Sequence, residues 1–382
     1  MKRTLVALAV AGAFLAPAAA MADGSGVVLT GVVHGGINIG HEKTDGGTEV
    51  YKRQTNIGTF ATRWEIDGTE DLGWSQAIFG LAMDQQFAGP NSCRTSACPT
   101  NNNNIGDLNN RNSFLGLTGG WGTLKIGQNE HQYEIQQILQ DPDPASENTF
   151  STLSLMTSWG GVHKGFTRRD PQSIWYTSPD FAGVTVNVAY ITPAGGKGTD
   201  GFTNRGENPQ GVQVAAHWKS AFGLSLYGAY AQYKDDSLIT VSPLDFTSNS
   251  KNSAFRLGAG FGTELFQVDV AGEQLKFKSD GHGFLAGEDD KRTNFMISGA
   301  LNLGQHHIRG AFNAAGKLKS GGSTVADSQA RLLLVGYAYT LSKRTEFQVN
   351  YGKVDNKKNA AFNVASPGND ADKFDVSLRH TF

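Results

Sequence analysis

The 382-residue chain is poor in features that define several protein classes. It has 2 cysteines, 11 prolines and 5 methionines, and its formal net charge is −2. Downstream of residue 22 it has no run of 18 apolar residues, so the sequence offers no membrane-spanning helix there. A nucleic-acid-binding protein would carry a basic excess. We therefore expect no nucleic-acid partner.

Signatures of catalysis and of bound cofactors are missing as well. The chain has no G-x-S-x-G nucleophile motif and no H-E-x-x-H zinc motif. The glycine-rich stretch Gly258–Gly262 lacks the Gly-Lys-Ser/Thr of a phosphate-binding loop, and glycines within a strand explain it. We expect a protein that is not an enzyme and that uses no cofactor or metal.

The two cysteines, Cys93 and Cys98, belong to the segment Cys-Arg-Thr-Ser-Ala-Cys. In an exported protein we expect a disulfide between them, because that compartment is oxidising. The alternative is a metal pair, but no histidine or acidic residue lies between or beside them to complete a ligand set.

The N-terminal segment has the pattern of an export signal. Lys2 and Arg3 precede an apolar stretch that is too short to span a bilayer, and Ala20-Met21-Ala22 forms a small-residue cleavage site. We expect residues 1–22 to be removed as a signal peptide, which leaves 23–382 as one domain. An uncleaved anchor helix is the alternative.

Short segments with alternating apolar and polar residues fill the rest of the chain. In the first, Leu29, Val33 and Ile37 share a face, while His34 and Asn38 occupy the other. Further apolar faces are predicted at Trp64 and Ile66; Ala77, Phe79, Leu81 and Met83; Phe114 and Gly116; Leu124 and Ile126; and Phe374, Val376, Leu378, His380 and Phe382. This period of two is typical of β-strands with one apolar face.

The connections between these segments alternate between short and long. Seven short turns are interleaved with eight long polar loops, at about 40–55, 88–110, 129–172, 192–209, 235–252, 278–291, 317–329 and 355–372. An even strand count with short turns on one rim and long loops on the other is typical of bacterial outer-membrane barrels. We predict an all-β fold, a 16-stranded antiparallel transmembrane β-barrel with short periplasmic turns and long external loops.

The third long loop, 129–172, is the longest stretch without a strand pattern. Loops of this length in a compact domain are usually functional, so we expect it to fold into the barrel and narrow its channel. Its Arg168-Arg169 pair either faces the channel or closes the loop against the wall.

Several motifs resemble the Gram-negative trimeric general porins, in particular those of β-proteobacterial type. They are Leu378–Phe382, which is similar to the C-terminal signature read by the outer-membrane assembly machinery; Thr62–Gly73; Arg111–Gly127; Ser173–Gly183; and Tyr339–Thr345. These matches follow the family's order and are spread over nearly all of 23–382. Within the C-terminal signature, the resemblance implies an assembly signal at Leu378, His380 and Phe382.

The resemblance implies a constriction, here called the eyelet, between acidic residues of the third loop and basic residues of the wall. Arg63 and Arg111 match wall arginines of the family, and Lys125 faces inward by alternation. Opposed charges across a narrow passage orient solutes and set ion preference. The alternative is that each basic residue pairs with a neighbouring acid away from the eyelet.

The candidate acids of the eyelet are Glu134, Asp141, Asp143 and Glu147. They are candidates by location alone, because the loop lacks the family's Pro-Glu-Phe-Gly-Gly motif, and Asp-Pro is also ordinary turn chemistry. Two wall positions depart from the family too: Val32 and Trp175 stand where members often carry basic or polar residues.

The sequence is therefore identified as an outer-membrane porin, a water-filled channel for passive diffusion of ions and small hydrophilic solutes. The implied partners are two further copies in a homotrimer, outer-membrane lipids, lipopolysaccharide and the assembly machinery. Gly31 and Gly35 make a smooth outward face that suits either a subunit contact or lipid. The alternatives in function are a barrel enzyme and an outer-membrane or secreted β-rich adhesion or binding protein.

Overall fold

A computed structural model of the chain describes residues 25–44, 46–85, 111–130, 133, 150–160, 165–166, 169–192, 210–234, 251–278, 288–364 and 366–382. These residues form nineteen strand segments in one antiparallel sheet. Two segments are parts of one strand interrupted at residues 60–62, and two others form a small hairpin within a long loop. Sixteen wall strands remain.

The strands are numbered in chain order. They are β1 Gly26–Lys43, β2 Glu49–Thr59 with Arg63–Asp71, β3 Gln76–Asp84, β4 Ser113–Gly119, β5 Gly122–Glu130, β6 Arg169–Thr177, β7 Val184–Ile191, β8 Gln210–Lys219, β9 Leu224–Lys234, β10 Lys251–Gly262, β11 Phe266–Lys278, β12 Asp290–Leu303, β13 His306–Ala315, β14 Ala330–Ser342, β15 Thr345–Asn356 and β16 Asp370–Thr381. The small hairpin, Lys319–Ser320 and Ser323–Thr324, lies between β13 and β14.

The sheet closes on itself. Each strand pairs with its sequence neighbours, and β1 also pairs with β16 from Val32 opposite Thr381 to Lys43 opposite Asp370. Closure satisfies the backbone donors and acceptors of every wall strand without water, which a membrane-spanning sheet requires. The predicted antiparallel barrel of sixteen strands is confirmed.

The predicted faces are confirmed on most strands. On β1, Leu29 and Ile37 are exposed on the outside, whereas His34 is buried on the inside. On β16, Phe374 and Leu378 are exposed, and the residues between them, such as Asp375, are buried on the lumen side. The outer surface is therefore apolar, as lipid demands, and the inner surface is polar.

The fourth strand reverses the predicted faces. Leu115 is the outward residue, at 58% exposure, and Phe114 points into the lumen. The Phe114 ring occupies space that Gly80 on β3 leaves free, because a Cβ atom on Gly80 would meet that ring at 2.6 Å. The missing side chain on the neighbouring strand thus gives the Phe114 ring room on the lumen side.

The connections alternate as predicted, with one difference in length. The seven short turns have two to six residues, while the first long loop, expected at 40–55, is limited to residues 44–48. β1 and β2 continue their pairing to Lys43 and Glu49, and His41 Nδ1 lies 3.2 Å from Asp372 Oδ1 on β16. These strand ends are polar because they extend beyond the apolar band, so their composition resembles that of a loop.

Candidate functional site

The third long loop lies inside the barrel. Strand bounds place it at residues 131–168, and its described residues are Tyr133, 150–160 and 165–166. Five large apolar side chains of these described residues, Tyr133, Leu155, Met156, Trp159 and Phe166, are fully buried. The sequence places these residues between two strands of a closed wall, so their burial requires that the loop fold into the lumen.

One buried ion pair on the wall holds this loop. Arg256 on β10 and Glu273 on β11 are directly opposite in register, and both side chains are 0% exposed. The Arg256 Nη2 atom lies 2.6 Å from Glu273 Oε2, and Nε donates to the same oxygen at 3.2 Å. A buried pair of this kind repays its desolvation only when further hydrogen bonds complete it.

The loop supplies those hydrogen bonds. Tyr133 donates its hydroxyl to Glu273 Oε2 at 2.8 Å, and the Thr157 backbone N–H donates to Oε1 at 2.6 Å. Asn294 on β12 donates to the same Oε1 at 2.8 Å and to the Leu155 carbonyl at 3.1 Å. Both carboxylate oxygens of Glu273 are thereby occupied.

The guanidinium of Arg256 contacts the loop directly. It donates from Nη1 to the Tyr133 carbonyl at 3.1 Å, and its Cζ lies 4.3 Å from the centre of the Tyr133 ring. Burial raises the pKa of the Tyr133 hydroxyl well above its usual value, and the nearby Glu273 carboxylate raises it further. Tyr133 therefore stays protonated and remains a donor to Glu273.

The loop backbone adapts to this anchor. Thr157 has a φ of 67°, in the left-handed region that costs a non-glycine residue about 1 kcal/mol or more. Its N–H is the donor to Glu273 Oε1, so the unusual conformation aims a backbone donor at the carboxylate.

Further contacts extend the attachment across several strands. Trp159 Nε1 donates to Asn252 on β10 at 3.3 Å, and Asn313 on β13 donates to the Thr152 carbonyl at 2.9 Å. The Phe166 ring packs against that of Tyr133, with centroids 5.6 Å apart. Tyr133 donates its backbone N–H to Gln213 on β8, and at the other end Lys373 Nζ on β16 lies 4.7 Å from the centre of the Phe150 ring. Apolar packing with β14 and β15 lies between these contacts. The described part of the loop is thus fixed to the wall from β8 to β16, which leaves the passage on its other side.

Two of the sequence-predicted basic residues meet on the opposite wall. Arg63 on β2 is opposite Asp84 on β3 in register, and Arg111 forms an ion pair with the same Asp84. The Arg63 Nε atom lies 2.6 Å from Glu65 Oε1. The wall therefore carries arginines with acidic partners at hand, and this pairing is the one part of the alternative that these contacts match.

The position of Arg111 does not come from strand alternation. Counted from the outward Leu115, it would face lipid, but β4 begins only at Ser113, so the backbone before it is not bound by that parity. Its guanidinium reaches Asp84, which shares the inner face of β3 with Ala82. Counting from Leu115 is thus wrong for this residue, whose guanidinium reaches the inner face through Asp84.

Lys125 on β5 points inward as predicted, between the outward Leu124 and Ile126. Its Nζ lies 3.8 Å above the ring of Phe114. Lys125 thus rests on an aromatic surface of the lumen wall, in a cation–π contact.

The C-terminal residue closes the barrel seam. Phe382 exchanges two backbone hydrogen bonds with Gly31, at 3.1 and 3.2 Å, and its ring lies over that glycine. Leu378 and Phe382 are exposed on the outer surface, while His380 Nδ1 lies 3.0 Å from the Thr345 hydroxyl. Gly31 is therefore covered by the chain's own terminus rather than left smooth.

Residues 6–359 match the family described as Gram-negative porin. The chain belongs to this family. It is 26% identical over 397 residues to major outer membrane protein P.IB of Neisseria sicca, with 100% of both chains covered. The anion-selective porin from Comamonas acidovorans superimposes with a TM-score of 0.69 at 22% identity, over 94% of this chain and 100% of that one. OmpT of Vibrio cholerae in its trimer form gives 0.62 at 12% identity, over 94% and 99%.

This porin is an outer-membrane channel for the passive diffusion of ions and small hydrophilic solutes. No helix in the described ranges is long and apolar enough to cross a membrane. Within those same ranges, no group of three or more histidine, cysteine or acidic side chains is placed to hold a metal ion.

Several predicted site residues of the porin lie outside the described residues: Glu134, Asp141, Asp143, Glu147, Cys93 and Cys98. Arg169, at the end of the loop, forms an ion pair with Glu130 across the loop's two ends. Its placement agrees with closure of the loop against the wall. The two departures from the family, Val32 and Trp175, are both buried on the lumen side.

The Arg256–Glu273 anchor was missed in the sequence. A signal for it exists in the hairpin formed by β10 and β11. Gly262 pairs with Gln267 beside the short turn, and Arg256 and Glu273 each lie six residues further along their strands. Opposite charges at paired, inward positions of one hairpin predict an ion pair. That the third loop caps this pair is not visible in the local pattern.

Proposed function

We propose that this porin is a homotrimer of independent pores, each narrowed by its third loop, and that it catalyses no reaction. The observation that carries the proposal is the attachment of the loop to Glu273 inside the lumen. A loop held by a fully buried carboxylate gives the pore a constant cross-section, which a size-limited diffusion channel needs.

The eyelet is formed in this proposal by Arg63, Arg111 and Lys125 on the wall and by the loop acids Glu134, Asp141, Asp143 and Glu147. The positions of the three basic residues on β2, β5 and the segment before β4 support it, since all lie across the lumen from Glu273 on β11, where the loop is anchored. Glu65 and Asp84 on the same wall reduce the local positive charge. The field across the eyelet is therefore weaker than three unpaired cations would give.

The homotrimer is supported by the description of the Vibrio cholerae relative as a trimer form. The seam of β1 and β16 is the proposed subunit contact, with Gly35 still uncovered on the smooth face. The remaining partners are outer-membrane lipids, lipopolysaccharide and the assembly machinery, which reads Leu378, His380 and Phe382. Residues 1–22 act as the cleaved signal and Cys93–Cys98 as a disulfide at a loop tip.

Planar-bilayer conductance of the purified, unboiled protein tests this proposal. Openings in groups of three equal steps are expected, with a reversal potential under a salt gradient that gives the sign of the eyelet's ion preference. Single, ungrouped steps would contradict the homotrimer. Complete silence from correctly folded protein would contradict the open channel and favour the adhesion or enzyme alternatives.

A further inference from the structure

Five lysines lie together on the outer surface near the ends of β10, β11 and β12. They are Lys251, Lys276, Lys278, Lys291 and Lys319, and they line a cleft of about 430 Å³ together with Ser253 and the acidic Asp289 and Asp290. These strand ends lead into the long loops, so the cluster, here called the lysine patch, belongs to the external rim.

The lysines face lipid rather than the lumen. Lys251 shares its face of β10 with the outward Phe255, and Lys291 shares its face of β12 with the outward Phe295. Lys319, in the small hairpin, is opposite Lys291 and therefore on the same side. The patch lies directly beyond the apolar band.

The strand register brings like charges opposite one another. Lys251 pairs with Lys278, Lys276 with Lys291, and Lys291 with Lys319. Directly opposed side chains are about 5 Å apart at their Cβ atoms, and like charges at such pairs destabilise a sheet. Among the described residues, none of the five lysines forms an ion pair with an acidic side chain.

The external ends of β14 to β16 are arranged differently. Arg331 on β14 is opposite Asp355 on β15, and Lys353 is opposite Asp372 on β16. Lys353 Nζ also lies 2.7 Å from Asp355 Oδ1. Basic residues on these strands thus have acidic partners from the same wall. The lysine-on-lysine register is found instead from β9, where Lys234 is opposite Lys251, to β12 and the hairpin.

We propose that the lysine patch binds the phosphorylated glycolipid of the outer leaflet, lipopolysaccharide, through the phosphates of its headgroup. Phosphates supply negative charge between the paired lysines, with which neither Asp289 nor Asp290 of the cleft forms an ion pair among the described residues, and the acyl chains cover the outward Phe255 and Phe295 beneath. Basic residues close to a membrane surface attract anionic lipid in this way. The patch on β10 to β12 lies four to six strands from β16 and further still from β1, so the proposed subunit contact at the seam leaves it accessible.

The inference rests on the binding of lipopolysaccharide proposed above, and it assigns that binding to one place on the barrel. The test uses purified, lipid-free protein in detergent and titrates lipopolysaccharide, the same lipid after enzymatic removal of its phosphates, and inorganic phosphate. The triple variant Lys276→Gln, Lys278→Gln, Lys291→Gln is compared with a control on the same rim, Arg331→Gln with Lys353→Gln.

We expect the triple variant to bind lipopolysaccharide about tenfold more weakly or worse, and the control to stay within about twofold of the unchanged protein. Dephosphorylated lipid should bind the unchanged protein as weakly as intact lipid binds the triple variant. Without lipid, the triple variant should melt at the same temperature or higher, because the repulsion between paired lysines is gone.

An equal loss of affinity in the control, or equal binding of dephosphorylated lipid, would overturn the proposal. If inorganic phosphate alone bound the unchanged protein as tightly as lipopolysaccharide does, the patch would be a site for free anions and the proposal would be overturned. Conductance of the triple variant separates this inference from the channel function, because the patch is outside the lumen and its channels should open as in the unchanged protein.

Discussion

The ring of Phe382 lies so close to the backbone of Gly31 that a Cβ atom on Gly31 would come within 2.4 Å of its Cζ atom. The same Cβ would lie 2.8 Å from the Arg63 carbonyl oxygen. The first and last strands are therefore joined at this point by two backbone hydrogen bonds and by an aromatic ring that only glycine accommodates.

Replacing Gly31 with valine should open this seam. Forcing the side chain into the occupied space should cost about 1–3 kcal/mol, as overpacking does elsewhere. We expect the folded, unboiled form to be lost at a lower temperature on a gel. Gly272→Val is the matched control, because nothing lies within 4 Å of a Cβ at Gly272. Equal behaviour of the two variants would show that the ring moves aside at no cost.

Removing the Phe382 side chain should reduce assembly in cells more than stability in vitro. If the terminal aromatic is read by the assembly machinery, Phe382→Ala should lower the amount of folded protein in the outer membrane, while refolding in detergent is only modestly affected. Phe374→Ala is the control, since Phe374 is equally exposed, at 39%, on the same strand face. A similar yield from both variants would argue against a terminal signal.

Glu273→Gln should loosen the third loop. The amide keeps the shape of the carboxylate but leaves Arg256 as an uncompensated buried charge, which costs about 3–5 kcal/mol. We expect a lower melting temperature and noisier single-channel currents, because the loop is held by the same oxygens.

The control for this variant is Asp355→Asn at the external rim. Asp355 pairs with Lys353, and both side chains are more than 40% exposed, so its loss should cost about 0–1 kcal/mol. Quiet, unchanged currents from Glu273→Gln would mean that the loop is held in place by its apolar contacts alone.

Neutralising Arg63 and Arg111 should shift permeation toward cations. At roughly 10 Å, one charge changes the energy of an ion by about 0.4–1.7 kcal/mol for effective dielectric constants of 80 to 20, or about two- to twentyfold in permeability ratio. The acidic partners of both arginines, Glu65 and Asp84, remain and add to the shift.

Reversal potentials under a salt gradient measure the effect in Arg63→Gln and Arg111→Gln. Arg331→Gln, on the outer surface, is the control and should leave the selectivity unchanged. Should both lumen variants behave like this control, the two arginines would have no place in the eyelet.

The sequence by itself determined the barrel. Three local features carry this prediction: the alternation of apolar and polar residues, the interleaved short and long connections, and the terminal Phe382. Hydrogen bonding between strands that are neighbours in the chain converts the first two directly into hairpins. The outward and inward faces of β1 and β16 follow from the same alternation, because lipid and water lie on opposite sides of one wall.

Only the tertiary structure decided where that alternation fails. Phe114 faces inward, where Gly80 on the next strand leaves room for its ring, and Arg111 reaches Asp84 because its segment lies ahead of β4. Both outcomes depend on neighbours across the sheet, which a pattern along one strand does not contain.

The anchor of the third loop was beyond the sequence for a related reason. The hairpin register that pairs Arg256 with Glu273 can be counted from one short turn, since the two are 17 residues apart. Tyr133 and Glu273 are 140 residues apart, and their hydrogen bond exists only once the barrel has closed around the loop. The local pattern builds the wall, and the closed wall then selects the contacts that hold the loop in its lumen.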